Sequence, residues 1–242
     1  MRGWSSEEVA HSYREKWPGF VAAVQGNGPL GVHHEVQKGA VIGRDDPWSQ
    51  NIVLAWAYAL ARAANGAGAL SVLDWGGALG QHYVLARALL PDVEFDYHCK
   101  ELPAVCAEGK RVLPEVTFHD DDGWLARRYD LVLASNSLQY EEDWRARLRT
   151  FAEAARGWLF VTRVLVATGH PSFVTLQRAH AYGYATEYVG WVLNRDELLD
   201  TAHGCGLELV REFVFESGFP IDGAPETVGN RGFLFRRVEG QA

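Results

Sequence analysis

The chain has 242 residues, of which 48% are hydrophobic and 22% are charged, with 23 Lys and Arg against 31 Asp and Glu. This composition excludes a disordered chain, and the formal charge of −8 argues against nucleic acid or an anionic membrane as a partner. The three cysteines have no framework spacing, and no segment has the roughly 20 apolar residues of a membrane span. We therefore expect a soluble, cytoplasmic protein with reduced thiols.

Hydrophobic periodicity and turn residues predict the elements in chain order. Residues 1–65 are expected to form an N-terminal helical cap, loosely helical up to residue 45, followed by a helix from Trp48 to Ala64. The predicted strands beyond the cap are 70–74, 93–101, 116–119, 129–135, 158–162, 207–215 and 232–237. The predicted helices between them are 81–90, 105–113, 142–156 and 194–205.

This alternation predicts an α/β fold for residues 66–242. We expect a Rossmann-like, doubly wound, mainly parallel sheet of seven strands with an antiparallel last strand. Ligands of such sheets bind beyond the carboxyl ends of the strands. A long aromatic connection at about 163–193 leaves the fifth strand at that edge and predicts a lid or a pocket wall.

A glycine-rich turn follows the first predicted strand, with the sequence Asp74-Trp75-Gly76-Gly77-Ala78-Leu79-Gly80. Small residues allow the backbone to turn sharply and to approach a ligand. A nicotinamide-type fingerprint would require glycine at position 75, where this chain has Trp. An acid, Glu101, ends the second predicted strand about 20 residues after the last glycine, the spacing found in dinucleotide folds.

The segment VLDWGGALG resembles the first motif of class I methyltransferases that use S-adenosylmethionine, with Ala78 in place of the middle glycine. From about residue 70 to 215 the chain is similar to a little-characterised bacterial methyltransferase family. The segments that carry this similarity are LDWGGALGQHY, ASNSLQY, FVTLQR and WVLNRDELL. The resemblance implies the fold and S-adenosylmethionine as cofactor, with S-adenosylhomocysteine as product, but it does not identify the acceptor.

The resemblance also implies which residues contact the cofactor. The glycines would approach its methionine part, Asp74 would hold its amino group or a water beside it, and Glu101 would accept hydrogen bonds from its ribose hydroxyls. Glu94 and Asp96 are rival acids within the same predicted strand. The full cofactor-binding set is Asp74, Trp75, Gly76, Gly77, Gly80, Tyr83, Glu101, Leu102, Asp120, Asp121, Ser135 and Asn136.

The acidic turn after the third predicted strand has three interpretations. By the resemblance, Asp120 or Asp121 reads the adenine amino group. A solvated turn is the second interpretation, and a metal site that includes His119 is the third. We expect no metal.

The acceptor side is expected to involve the 163–193 connection. Aromatic faces attract a sulfonium cation, for which Trp75, Tyr83 and Tyr140 are candidates. Core packing is the alternative for each of them, and for Trp75 the two interpretations are equally good. We expect His170 to be the general base. The other candidate bases are His33, His34 and His82. The substrate-binding set is Tyr140, Gln177, Arg178 and His33.

These features predict a methyltransferase that acts on a small molecule, such as a secondary metabolite or a carbohydrate-derived intermediate, by in-line displacement. A non-catalytic binding protein with the same fold is the first alternative, because Ala78 departs from the motif and no base is obvious. A nucleotide-dependent oxidoreductase is the second. The sequence leaves the formation of a homo-oligomer open.

Overall fold

The computed structural model describes residues 7–30, 47–178 and 187–238. Its helices are α1 (Glu7–Gln25), α2 (Pro47–Ala64), α3 (Gln81–Leu89), α4 (Pro103–Val112), α5 (Trp144–Ala154) and α6 (Arg195–Gly204). Its strands are β1 (Ala69–Trp75), β2 (Glu94–Lys100), β3 (Thr117–His119), β4 (Tyr129–Ser135), β5 (Ala155–Ala167), β6 (Phe173–Arg178), β7 (Glu187–Asn194), β8 (Leu207–Phe219) and β9 (Val228–Arg237). Short 3₁₀ helices cover Asp122–Ala126 and Leu138–Tyr140.

Seven strands form the sheet that the sequence predicts. Strands β3, β2, β1, β4 and β5 lie side by side in that order and are all parallel. Strand β9 pairs antiparallel with β5, and β8 pairs antiparallel with β9. The prediction of a mainly parallel α/β sheet with an antiparallel last strand is therefore confirmed.

Strands β6 and β7 form an antiparallel hairpin at one edge of the sheet. Within the described residues, the hairpin joins the sheet where β7 pairs in parallel with the last two residues of β5. The hairpin lies in the predicted connection at 163–193. The first part of that connection belongs to β5, which continues to Ala167, five residues past the predicted strand end. Residues 179–186 of the connection lie outside the described residues.

Helices cover the two faces of the sheet, as expected for strands that are apolar on both sides. Helices α1 to α4 share one core with alternate residues of the strands, such as Leu131 and Phe160. We call this side the α2 face. Helices α5 and α6 share the opposite core with the intervening residues, such as Val132 and Val161, and we call that side the α5 face.

The predicted N-terminal cap packs into the same core as the sheet. On the α2 face the indole of Trp56, in α2, stacks on the Phe160 ring with the two centroids 6.5 Å apart. Helix α1 adds Phe20, which is almost completely buried. Among the described residues, no helix combines the length and the apolar character that crossing a bilayer requires.

Candidate functional site

The turn from β1 to α3 has a backbone that suits small residues. Gly76, Ala78 and Gly80 have φ angles of 76°, 49° and 90°, all in the left-handed region. Glycine adopts this region at no steric cost, whereas an alanine there is strained by roughly 1 kcal/mol. The sequence therefore places glycines at two of the three positions that require them, and Ala78 occupies the third at a small cost.

The glycine turn also packs so closely against neighbouring side chains that two of its glycines have no room for a β-carbon. A β-carbon at Gly77 would come within 2.4 Å of the Asp74 carboxylate and 2.8 Å of the Cys99 sulfur. A β-carbon at Gly76 would come within 2.7 Å of Ser137, in the turn after β4. The Ser137 hydroxyl donates a hydrogen bond to the Trp75 carbonyl at 2.8 Å, which joins that turn to the end of β1.

Asp74 lies beneath this turn and is completely buried. Its Oδ2 accepts a hydrogen bond from the Tyr97 hydroxyl at 3.0 Å and lies 3.2 Å from Nδ1 of His82. Its Oδ1 is buried and has no hydrogen-bond partner among the described residues. Because a buried carboxylate oxygen without a donor is costly, Oδ1 indicates a place where a ligand donor would bind.

Glu101 follows β2 and holds the other side of the turn. Its Oε1 accepts a hydrogen bond from the Ala78 N–H at 3.1 Å, and its Oε2 accepts one from the Leu102 N–H at 2.7 Å. Burial raises the pKa of this carboxyl, although the two N–H donors oppose the rise. Of the three acids considered in the sequence, only Glu101 lies at the carboxyl end of β2, because Glu94 is the first residue of that strand and Asp96 the third.

Asp120 and Asp121 lie at the surface after β3. Asp121 caps the following 3₁₀ helix by accepting a hydrogen bond from the Gly123 N–H at 2.9 Å, which is ordinary turn chemistry. Nε2 of His119 lies 2.8 Å from Nδ1 of His98. No group of three or more potential metal ligands is found within the described part of the chain. A contact between these aspartates and adenine stays a prediction.

The carboxyl end of β4 lies beside the glycine turn. Ser135 is buried, and Asn136 turns the chain with a φ of 54°. The Asn136 N–H donates a hydrogen bond to the Thr162 carbonyl at 2.9 Å, and the Asn136 side-chain oxygen accepts one from Gln139 at 2.6 Å. These contacts fix the turn that contains Ser135 and Asn136, two residues of the predicted cofactor-binding set.

Two aromatic residues expected near the cofactor pack into the protein core. The Trp75 indole lies on the α5 face, 5.1 Å from the Phe151 ring, with the Arg147 guanidinium 5.2 Å from its centroid. Side chains of adjacent strand residues point to opposite faces, so Trp75 points away from the side that holds Asp74. The geometry therefore gives no support to a contact between the Trp75 indole and the cofactor, and a role for Trp75 in cofactor binding stays a prediction. Tyr83 is half-buried against the Tyr97 ring, with the centroids 5.2 Å apart.

Two of the predicted acceptor residues come together. The Tyr140 hydroxyl donates a hydrogen bond to the Gln177 side chain at 3.0 Å, and the Tyr188 ring packs edge-on against Tyr140 at 5.2 Å. Arg178 is the next residue of β6 and points to the opposite, exposed side, where it pairs with Glu187 at 2.8 Å. The geometry therefore gives no support to Arg178 as a residue that binds the acceptor, and that role stays a prediction.

His170 lies far from the glycine turn. Thr162 is level with Ser135 in the sheet, and β5 runs five residues beyond it, about 16 Å of extended chain, before the loop that holds His170. There His170 is exposed, and its backbone N–H donates to Glu226 at 2.9 Å. The geometry gives no support to His170 as the base. His33 and His34 lie outside the described residues.

Comparison with known proteins supports the architecture. No protein-family model matches the chain, and no curated protein sequence is significantly similar to it. Its structure is similar to magnesium protoporphyrin IX methyltransferase from Synechocystis PCC 6803, solved with bound S-adenosylhomocysteine, at a TM-score of 0.53 and 14% identity over 95% of this chain and 98% of that one. The chain has the class I methyltransferase fold.

Two further solved structures share this fold. The 1,6-didemethyltoxoflavin-N1-methyltransferase from Burkholderia thailandensis, bound to 1,6-didemethyltoxoflavin and S-adenosylhomocysteine, has a TM-score of 0.51 and 17% identity over 88% of this chain and 94% of that one. The [4+2]-cyclase SpnF has a TM-score of 0.58 and 14% identity over 98% and 97%. Identities this low establish the fold alone.

Proposed function

We propose that this chain is an S-adenosylmethionine-dependent methyltransferase that acts on a small-molecule acceptor. The observation that carries the proposal is the arrangement of two carboxylates around the glycine turn. Glu101 is tied to the turn through the Ala78 N–H, and the buried Asp74 lies beneath it with one oxygen available. The class I methyltransferase fold presents this arrangement at the carboxyl edge of the sheet, where ligands of α/β proteins bind.

The residues present fit the cofactor chemically. Oδ1 of Asp74 is suited to accept a hydrogen bond from the cofactor's cationic amine, directly or through water. Each Glu101 oxygen uses one lone pair for a backbone N–H and keeps another for a ribose hydroxyl. No β-carbon fits at Gly76 or Gly77, because Ser137 packs against the first glycine and Asp74 and Cys99 pack against the second. S-adenosylmethionine supplies a methyl group activated by a sulfonium centre.

The protein's part in such a reaction is chiefly alignment and exclusion of water. Tyr140 and Gln177 join the turn after β4 to the β6–β7 hairpin, and we assign them to the wall of the acceptor pocket. Of the alternative bases, His82 lies within the described residues, but its Nδ1 is directed at Asp74. We therefore assign His82 the task of orienting Asp74, together with the Tyr97 hydroxyl.

Incubation with S-adenosylmethionine that carries a labelled methyl group tests this function. The acceptor panel should contain phenols, sugar amines and small carboxylic acids. We expect label to appear in at least one small molecule, together with S-adenosylhomocysteine. Binding of the cofactor without turnover on any acceptor would favour the non-catalytic alternative. One structure with the same fold is named a cyclase, so the fold by itself does not assign methyl transfer.

A further inference from the structure

Strand β6 forms an open edge of the sheet. It comes last in the order β5, β7, β6, and it pairs with β7 along its whole length, from Phe173 to Arg178. Within the described residues, no backbone hydrogen bond joins the other side of β6 to a further strand or loop. Such an edge presents a row of unpaired N–H and C=O groups, which is a template for another strand.

One face of this edge is apolar and exposed. Val174 and Leu176 are 50% and 46% exposed, and Val189, which pairs with Leu176 on β7, is 46% exposed. Natural edge strands are usually protected by charged side chains, by proline or by a bulge. The β6 sequence from Phe173 to Gln177 contains none of these protective features. An unprotected apolar edge of this kind indicates an interaction surface.

A groove of about 470 Å³ runs beside this edge. Residues of β6 line one wall of the groove, and the loop 221–224 lines the other. The loop lies near the start of β6, because Ile221 packs against the same small core as Phe173. Further along the same loop, Glu226 accepts a hydrogen bond from the Gly169 N–H, shortly before β6 begins. The groove therefore leaves room for an extended segment beside β6.

The two ends of the groove carry opposite charges. Asp222, in the loop, lies toward the start of β6, and Arg178 is the last residue of the strand. Arg178 pairs with Glu187 of its own chain at 2.8 Å, and no ion pair joins it to Asp222 in the part of the chain that the structure describes. An antiparallel strand that ends in an arginine would bring that arginine to Asp222. Strand β6 is itself a strand of this kind.

We propose that this edge binds a second copy of the chain, by antiparallel pairing of the two β6 strands around a two-fold axis at Thr175. Opposite residues of antiparallel strands point to the same face. This register therefore sets Val174 against Leu176 of the partner subunit, and the axis repeats the contact. It also brings Arg178 of each chain to Asp222 of the partner subunit. Pairing of one surface with itself is the geometry of a C2 dimer.

The pairing is compatible with the contacts that β6 makes within its own chain. Gln177 points away from the apolar face and accepts a hydrogen bond from the Tyr140 hydroxyl at 3.0 Å. A second β6 in the plane of the sheet leaves that contact in place. Because each copy contributes a strand of only six residues, the interface is small, and we expect a dissociation constant in the micromolar range.

Sedimentation velocity over a concentration series from about 1 to 200 µM tests the dimer. We expect the mass of the wild type to rise from 26.9 kDa toward twice that value. Leu176→Lys places a charge against Val174 of the partner subunit and should weaken dimerisation by about tenfold or more. Leu54→Lys, at an exposed leucine of α2, is the matched control and should leave dimerisation unchanged. Circular dichroism verifies that both variants are folded.

Disulfide trapping tests the register independently of Leu176. The two Thr175 residues would face each other across the axis with their Cα atoms about 4.5–5.5 Å apart, a separation that a disulfide spans. With oxidised glutathione as the oxidant, Thr175→Cys should form a covalent dimer. Val189→Cys is exposed on β7, one strand away from the axis, and should not. The wild type, whose three cysteines are free thiols, provides the baseline.

Charge reversal tests the predicted ion pairs. Asp222→Arg places like charges at both ends of the interface and should weaken dimerisation by about threefold to tenfold. Adding Arg178→Glu to that variant restores opposite charges across the interface and should recover most of the loss. A double variant that dimerises no better than Asp222→Arg alone would contradict the predicted ion pairs.

Three results would overturn the dimer itself. One is a wild type that stays at 26.9 kDa throughout the concentration series. Another is a dimer that Leu176→Lys does not weaken, which would place the interface elsewhere. The third is a folded Thr175→Cys variant that forms no covalent dimer. Affinity for S-adenosylhomocysteine is a separate measurement, so failure of the dimer and failure of the proposed function are distinguishable.

Discussion

The Glu101 carboxylate accepts a hydrogen bond from the backbone N–H of Ala78 at 3.1 Å. This contact links the acid after β2 to the middle of the glycine turn after β1, two segments that are adjacent in the sheet but separated in sequence. The acid and the turn therefore form one unit. A change in either residue should alter both the shape of the turn and the affinity for a ligand held there.

The first prediction concerns the backbone of the turn. Ala78→Gly removes a β-carbon from a residue with a φ of 49° and should raise the free energy of unfolding by about 0.5–1 kcal/mol. Ala61→Gly, at an exposed position of α2, is the matched control and should lower it by about 1 kcal/mol. Chemical denaturation measures both values. A loss of stability in Ala78→Gly as large as that in the control would show that the turn gains nothing from glycine.

The second prediction concerns pH. Burial raises the pKa of Glu101, so this carboxyl takes up a proton at a higher pH than an ordinary glutamate does. Ribose hydroxyls donate best to the ionised form, and affinity for S-adenosylhomocysteine should fall as the pH is lowered through the raised pKa. Calorimetric titration across the acidic range should show this fall in the wild type and a flatter profile in Glu101→Gln. Identical pH profiles in the wild type and in Glu101→Gln would show that Glu101 does not contact the bound ligand.

The raised pKa of Glu101 also determines how the free energy of unfolding changes with pH. A carboxyl with a higher pKa in the folded state than in the unfolded state binds more protons when folded. Its contribution to the free energy of unfolding therefore falls as the pH rises from the ordinary glutamate range to the raised pKa. The neighbouring Asp74 carboxylate acts in the same direction as burial, and Lys100 acts against it.

A third prediction concerns the contact between the hairpin and the turn after β4. Tyr140→Phe removes the hydrogen bond to Gln177 and should lower the free energy of unfolding by about 0.5–1.5 kcal/mol. Gln177→Leu and the double variant complete a mutant cycle. A coupling energy near zero between the two residues would mean that this contact does not hold the hairpin in place.

The fourth prediction concerns the cysteines. All three are free thiols, and burial raises the pKa of Cys99, Cys106 and Cys205, in the case of Cys106 to about 11. The thiols should stay protonated at neutral pH and react slowly with Ellman's reagent in the folded protein, with the half-buried Cys205 reacting first. Denatured protein should react rapidly at all three. Fast reaction of the native protein at Cys99 or Cys106 would contradict the burial described.

Much of the fold and part of the site could be predicted from local patterns. The strand YDLVLAS is apolar on both sides, and the glycine turn and Glu101 follow strands at a spacing set by the fold. The position of Trp75 was also predictable from strand alternation, because adjacent residues point to opposite faces, and Asp74 takes the side beneath the glycine turn.

Other features depend on the pairing of distant strands. In β6 the apolar Val174 and Leu176 are exposed, so this strand lacks the buried apolar alternation that marks a strand in sequence. The extension of β5 to Ala167 and its bulge at Arg163 exist because β9 pairs beside them. Because of this extension, His170 lies far from the glycine turn. No local pattern in the sequence predicts that β5 extends to Ala167.

The most direct test of the account is the affinity for S-adenosylhomocysteine, measured by calorimetry, in the wild type and two folded variants. Glu101→Ala removes the acid at the carboxyl end of β2, and Glu94→Ala removes an exposed acid at the opposite end of the same strand. We predict saturable binding by the wild type, the same affinity in Glu94→Ala, and binding about tenfold to a hundredfold weaker in Glu101→Ala. No binding by the wild type, or equal affinity in Glu101→Ala, would contradict the account.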